Sequence, residues 1–200
     1  MKGIRLGLTG TIGSGKSTTL SFFANEGWIT VRTDDLAREE LERSEMKQVI
    51  RERWGSGIFD SGGRLKRKSL AGIVFSDPQE LEWLESVLHP RVRERWLSIT
   101  EKSEDLETVV EIPLLFEKSL ASHFDFVVSV SCPENLQLER LLAKGLTADD
   151  IEARKLRQLP AFEKESRAHH VLSNCGTLTF LEKQVISLSE QLRLQTRPSL

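Results

Sequence analysis

The chain has only two cysteines, no tyrosine and no apolar run of membrane-spanning length among its 200 residues. Cys132 and Cys175 show no paired spacing, which excludes a disulfide framework and fits a reducing compartment. Arg5 and two glycines interrupt the apolar start, so no signal peptide is expected. No stretch approaches the roughly 20 apolar residues that a spanning helix needs. The expected location is therefore the cytoplasm. An excess of either charge is also missing. Lys and Arg number 28, Asp and Glu 30, and the net charge is -2. That balance excludes bulk attraction to nucleic acid or to a membrane surface. Internal repeats and low-complexity tracts are missing too, and no functional reading attaches to the absent tyrosine. At 38% hydrophobic residues, the chain can fill one α/β domain with helical insertions.

The most specific string present is Gly10-Thr11-Ile12-Gly13-Ser14-Gly15-Lys16-Ser17. It fits G-x-x-x-x-G-K-[ST], a phosphate-binding loop. Glycines let the backbone wrap so that successive N–H groups point into one concavity. A lysine at position 16 reaches β- and γ-phosphates, and a serine hydroxyl at 17 can ligate Mg²⁺. Ile4, Leu6 and Leu8 alternate before the loop as a strand does. Residues 17–25 read as a helix, whose positive end turns toward the anion. Strand, loop and helix in that order are the context the motif requires.

Further apolar runs at 28–31, 109–112, 126–130 and, weakly, 171–172 predict a mostly parallel five-stranded sheet flanked by helices. Between the second and third runs, residues 34–106 read almost wholly as helix. Leu81, Leu84, Leu88, Val92, Trp96 and Ile99 trace one helical face. Ser76-Asp77-Pro78 reads as its start, and Pro90 is expected to kink or restart it at His89. An insertion this long predicts a substrate-binding domain. Residues 140–168 read as a second helical interruption, with Arg140, Lys144, Arg154, Lys155, Arg157, Lys164 and Arg167 along it. In a phosphate-binding protein such a segment is expected to act as a lid. The expected organisation is a nucleotide-binding core of residues 1–33, 107–139 and 169–200, a helical acceptor-binding domain at 34–106 and a lid at 140–168.

Asp34 and Asp35 follow the second strand, at the sheet edge where α/β proteins bind ligands. A carboxylate there can accept a proton from an attacking hydroxyl or cap a helix starting at Leu36. Glu111 and Glu117 offer carboxylates at the end of the third strand. His89 and Arg93 flank Pro90, and an Arg fork suits a phosphate. Arg64 to Lys68 form a basic cluster. Asn174-Cys175-Gly176 follow the fifth strand, where backbone groups can meet an adenine.

Taken together, these strings resemble the dephospho-coenzyme A kinase family. Gly7 to Thr18 looks like G-L-T-G-G-I-G-S-G-K-S-T, with Thr11 in place of a glycine. Thr33 to Arg38 resembles D-A-D-x-x-A-R, with Asp34 on the second Asp and Arg32 on the first. Arg67 and Val74 to Pro78, Leu88-His89-Pro90 with Arg93, and Pro113-Leu114-Leu115-Phe116-Glu117 match family strings in order. Arg140 matches the arginine opening the lid, and Lys144 stands where a second arginine is usual. Arg154 with Gln158 matches R-x-x-x-Q. His169 replaces an Asp, and Asn174 with Gly176 matches N-x-G.

The resemblance implies a P-loop kinase fold and ATP-dependent phosphorylation of the ribose 3′-hydroxyl of dephospho-coenzyme A. It implies Asp34, Lys16 and Arg140 as catalytic residues and Asp34 as the base. The ATP-binding set would be Thr11, Ile12, Gly13, Ser14, Gly15, Lys16, Ser17, Thr18, Arg140, Asn174 and Gly176. Arg67, His89, Arg93 and Glu117, with Asp34, would contact the acceptor, and Ser17 would hold Mg²⁺. The nearest rival is another small-molecule kinase, such as one acting on a nucleoside monophosphate. A guanine-selecting N-K-x-D string, needed for a GTP-driven switch, does not occur. A non-catalytic nucleotide-binding module is the remaining rival. A monomer or weak homo-oligomer is expected.

Overall fold

A computed structural model describes residues 3–195 of the chain. It divides into two compact units. One holds the described residues up to Arg32 and those from Thr100 onward; the other is Thr33–Ile99.

The first unit is built on strands β1 (Arg5–Gly10), β2 (Ile29–Arg32), β3 (Thr108–Glu111), β4 (Phe126–Ser131) and β5 (His170–Ser173). All pair in parallel, in the order β2-β3-β1-β4-β5. The five-stranded parallel sheet expected from the apolar runs is present. Its central strand is β1, so the loop that follows β1 lies at the middle of the carboxyl edge. Helices α1 (Lys16–Asn25) and α9 (Leu178–Gln195) cover one face. There Leu6, Leu8, Val109, Val128, Val130 and Leu172 pack with Leu20, Phe23, Leu181, Val185, Leu188 and Leu192 in one core. Burying a side chain of this kind contributes roughly 1.5–3 kcal/mol. Leu115, Phe116, Leu120 and Phe124, with α8 (Ala161–Arg167), are associated with the opposite face, where Gly7 lies against Leu115 and Phe124.

Helices α6 (Glu134–Ala143) and α7 (Ala148–Lys155) complete this unit. The expected continuous helix from Arg140 is instead three pieces. Arg140 sits in the last turn of α6, which ends before Gly145 at φ +81°. A capping box then restarts the chain: Thr147 accepts from the Asp150 amide, and Asp150 accepts from the Thr147 amide.

The second unit is helical: α2 (Thr33–Glu40), α3 (Ser44–Trp54), α4 (Arg67–Ser76) and most of α5 (Pro78–Lys102), which continues into the first unit. Arg95 on α5 binds the Leu36 carbonyl at 3.2 Å and the Glu39 carboxylate at 2.5 Å. Glu80 accepts from Arg53 and from the Trp54 indole, both at 2.8 Å. Asp77 accepts from the Gln79 amide at 2.8 Å, which fixes the start of α5 where the sequence places it. Pro90 does not restart the helix. α5 passes through it, and the Arg91 guanidinium donates to the Val87 carbonyl at 2.6 Å. That bond serves a carbonyl next to the break a proline makes in the ladder. Among the described residues, no helix is long and apolar enough to cross a membrane.

Candidate active site

The loop between β1 and α1 forms the centre of the site. Gly13 and Gly15 adopt φ of +77° and +100°, a region that only glycine enters freely. A Cβ on Gly15 would also collide with the Asn174 amide nitrogen. The first intrahelical bond of α1 runs from the Thr19 amide to the Gly15 carbonyl at 3.0 Å. The amides of Lys16, Ser17 and Thr18 thus precede the ladder and stand at the positive end of the helix. Among the described residues no side chain caps that end. Lys16 is largely buried, and its ammonium arches back over the loop to the carbonyls of Gly10 at 3.1 Å and Thr11 at 2.9 Å. The Ser17 side chain is exposed.

Three residues from distant segments hold this loop. Asn174, buried after β5, donates from Nδ2 to the Ser14 carbonyl at 2.8 Å. Gln137, buried on α6, accepts from the Thr11 hydroxyl at 3.0 Å and donates to the Cys132 carbonyl at 2.6 Å. Gln158, after α7, accepts from the Ile12 amide at 2.8 Å. Arg140, one turn beyond Gln137, is anchored by Nη1 to Cys132 Sγ at 3.3 Å and by Nη2 to the Asn174 carbonyl at 3.2 Å. Arg140 Nη1 lies 3.9 Å from where a Cβ on Gly15 would stand. A guanidinium is thus brought beside the phosphate loop. Burial pushes the Cys132 thiol up from its ordinary range, against the pull of the Arg140 charge.

Nothing in the sequence signals the Gln137 contact, and Gln158 stands out there only as part of R-x-x-x-Q. Asn174, expected near an adenine, is only 3% exposed and spends its side-chain N–H on the loop. Gly176 lies exposed two residues beyond it.

Glu117 ends the P-L-L-F-E string. Its Oε1 accepts from the Leu159 amide at 2.8 Å and from the Lys164 ammonium at 2.7 Å, while Oε2 is buried without a hydrogen-bond partner among the described residues. Lys164 stands in the basic run along residues 140–168, and a charge run is ordinarily a solvated face. It is instead fully buried, and burial pushes its ammonium down from the ordinary lysine range, against the Glu117 contact.

The two departures at the sheet have partners. Arg32 donates from Nε to Glu111 at 3.1 Å, and these residues are register partners at the ends of β2 and β3. His169 accepts from the Val127 amide at 3.0 Å through Nδ1, a task an aspartate oxygen can also perform. Lys144 is exposed just past α6.

The helical unit carries the other predicted residues. Asp34 is exposed two residues after β2 ends, inside the first turn of α2 rather than ahead of a helix starting at Leu36. Carboxylates are favourable in that turn, so Asp34 and Asp35 do not delay the helix. Arg67 is exposed at the first position of α4. His89 and Arg93 are one turn apart on α5, His89 half-buried and Arg93 exposed. Their i,i+4 spacing puts them on one face.

Comparisons with known proteins bear on the family and the fold. The family model for dephospho-CoA kinase matches residues 4–179. A dephospho-CoA kinase of Deinococcus radiodurans is 42% identical over 195 residues, covering 95% of this chain and 93% of the relative. A solved structure from Thermus thermophilus superposes with a TM-score of 0.82 at 35% identity, covering 96% of this chain and 99% of the other. The dephospho-CoA kinase of Campylobacter jejuni shares the fold, with a TM-score of 0.73 at 22% identity over 96% and 98% of the two chains.

Proposed function

The chain belongs to the dephospho-CoA kinase family, and from that premise we propose how its residues perform the reaction. The enzyme transfers the γ-phosphoryl group of ATP to the ribose 3′-hydroxyl of dephospho-CoA, giving CoA and ADP, the last step of CoA synthesis. The observation that carries the assignment of roles is the loop at 10–18, wrapped by positive-φ glycines, with Lys16 and Arg140 beside it.

ATP lays its phosphates across the amides of residues 13–18. Phosphate oxygens take the Lys16 ammonium from the loop carbonyls. Asp34 orients the 3′-hydroxyl and accepts its proton as that oxygen bonds to the γ-phosphorus. The bond from phosphorus to the bridging oxygen breaks, and ADP leaves. Lys16 and Arg140 neutralise charge on the transferring oxygens, where most catalysis of phosphoryl transfer lies. Arg67, His89 and Arg93 bind the acceptor. The segment around 140–168 excludes water, so that ATP is spent on the acceptor.

Mg²⁺ is the expected companion of ATP. Among the described residues no cluster of three His, Cys, Asp or Glu forms a metal cage. That fits Mg²⁺, which binds through one or two protein oxygens, water and substrate phosphates. The Ser17 hydroxyl is the oxygen at the loop that would hold it, and its charge would offset that of the phosphates. The free thiols of Cys132 and Cys175 support a cytoplasmic location. We take the working form to be a monomer or weak homo-oligomer.

The test is an acceptor panel read as ADP release. Dephospho-CoA should be turned over and nucleoside monophosphates should not; the reverse would move the chain to the rival kinase class. Asp34→Asn should lose at least about 10²-fold in kcat with ATP affinity unchanged. Near-wild-type kcat would remove Asp34 as the base.

A further inference from the structure

The loop's amide at Ile12 does not end on solvent or on another loop group. It donates to Gln158 Oε1, 146 residues along the chain, at 2.8 Å. The next residue after Gln158 is itself tied down, because the Leu159 amide donates to Glu117 Oε1 at 2.8 Å. The same oxygen receives the Lys164 ammonium, which also donates to the Pro113 carbonyl at 2.7 Å. Pro113 accepts in turn from the Thr9 hydroxyl at 3.3 Å, one residue before β1 ends. The bonds close a circuit. It leaves the phosphate loop at Ile12, passes through Gln158, Leu159, Glu117, Lys164 and Pro113, and returns to the strand that feeds the loop.

We propose that Gln158 is a positioning residue for ATP, pinning the phosphate loop through the Ile12 amide, and that Glu117 acts through it by fixing Leu159 rather than by touching the acceptor. This rests on the assignment of the loop to ATP. A glycine-rich segment loses more conformational freedom on ordering than any other. A loop already held in its arc does not lose that freedom when ATP binds, and the difference appears as affinity. The pin sits at a position the loop pattern leaves variable, one residue before the amides that face phosphates. It therefore constrains the backbone without competing for the ligand. The geometry at Glu117 agrees: one carboxylate oxygen serves two donors and the other is buried. The full burial of Lys164 places this end of the circuit inside the fold, where its hydrogen bonds are not in competition with water.

The experiment uses the full chain and two variants, Gln158→Leu and Glu117→Gln. Gln158→Leu keeps the volume and removes the acceptor. It should raise the ATP KM on the order of tenfold, the value of about 1.4 kcal/mol, with kcat and the dephospho-CoA KM within about twofold. The thermal midpoint should stay near wild type. Hydrogen exchange at the Ile12 amide, measured on the protein alone, should quicken. Glu117→Gln keeps an oxygen for the Leu159 amide but removes the charge that holds Lys164, so it should shift the ATP KM the same way by a smaller factor and spare the dephospho-CoA KM. Unchanged ATP KM and unchanged Ile12 exchange in Gln158→Leu would overturn the proposal. So would a Glu117→Gln variant that loses dephospho-CoA and keeps ATP. A wild-type chain that fails to turn over dephospho-CoA would sink the assigned reaction, and the Ile12 exchange data would still decide whether the pin exists.

Discussion

Gly15→Ala is the sharpest test of how the phosphate loop is built. Two costs arise at that position, and they separate. The first is local: φ is +100°, and an L side chain held there costs about 1–3 kcal/mol. The second is a collision. The new methyl would overlap the Asn174 amide nitrogen, which must give up its bond to the Ser14 carbonyl. Losing a buried bond of this type costs about 1–3 kcal/mol. Together they come to roughly 2–6 kcal/mol, against a typical total stability of about 5–15 kcal/mol, so the variant should fold but be weakened. Catalysis should suffer as well. The Asn174 main-chain carbonyl anchors Arg140, so any backbone shift at Asn174 that relieves the collision also moves the guanidinium. The assay is urea unfolding of four proteins: wild type, Gly15→Ala, Asn174→Ala and the double variant. In the Asn174→Ala background the collision is gone and only the backbone cost remains. The two substitutions should therefore show a coupling of about 1–3 kcal/mol, with unchanged m-values. Coupling below about 0.5 kcal/mol would refute the reasoning, because the collision with Asn174 would then contribute nothing.

Two further outcomes are expected. Arg32→Asp, which installs the residue the family pattern has at that position, places a carboxylate beside buried Glu111 and should destabilise the fold more than Arg32→Ala does. A gap of about 1–2 kcal/mol in denaturant unfolding checks this, and equal losses would show that Arg32 does not carry the charge balance of Glu111. His170, near the Phe126 ring, has its pKa lowered below 6.5 by burial and then by neighbouring His169. The unfolded chain therefore takes the proton first as pH falls. Stability should be level above about 6.5 and decline as pH drops below it. His170→Gln should flatten that slope in thermal unfolding measured from pH 7.5 to 5.

Much of this architecture is legible from short-range pattern. Alternation at Ile4, Leu6 and Leu8 reports a strand with one face in the core, and those residues are buried. The four-residue spacing of Leu84, Leu88, Val92 and Trp96 reports the buried face of α5. What escapes the sequence is long-range and polar. Gln137 and Gln158 reach loop groups 126 and 146 residues away, and a glutamine leaves no periodic trace of its partner. Lys164 looks like its charged neighbours, and only the fold shows that Glu117 and Pro113 enclose it. The start of α2 at Thr33 is hidden in the sequence because Asp34 and Asp35 suit a helix's first turn as well as its cap. Pro90 misleads as a breaker because the Arg91 side chain serves a carbonyl beside the gap.

The hydroxyl of Thr11 resting on Gln137 bears on transplantation. A phosphate loop is commonly treated as a portable cassette, defined by its glycines and its lysine. Here the cassette has a socket. Position 11 is matched to a glutamine on α6, one turn from the arginine that helix delivers to the loop. A graft of residues 10–17 into a chain without glutamine at position 137 would leave the threonine without its mate. The heritable unit in this protein is therefore the loop together with one turn of a helix more than a hundred residues away.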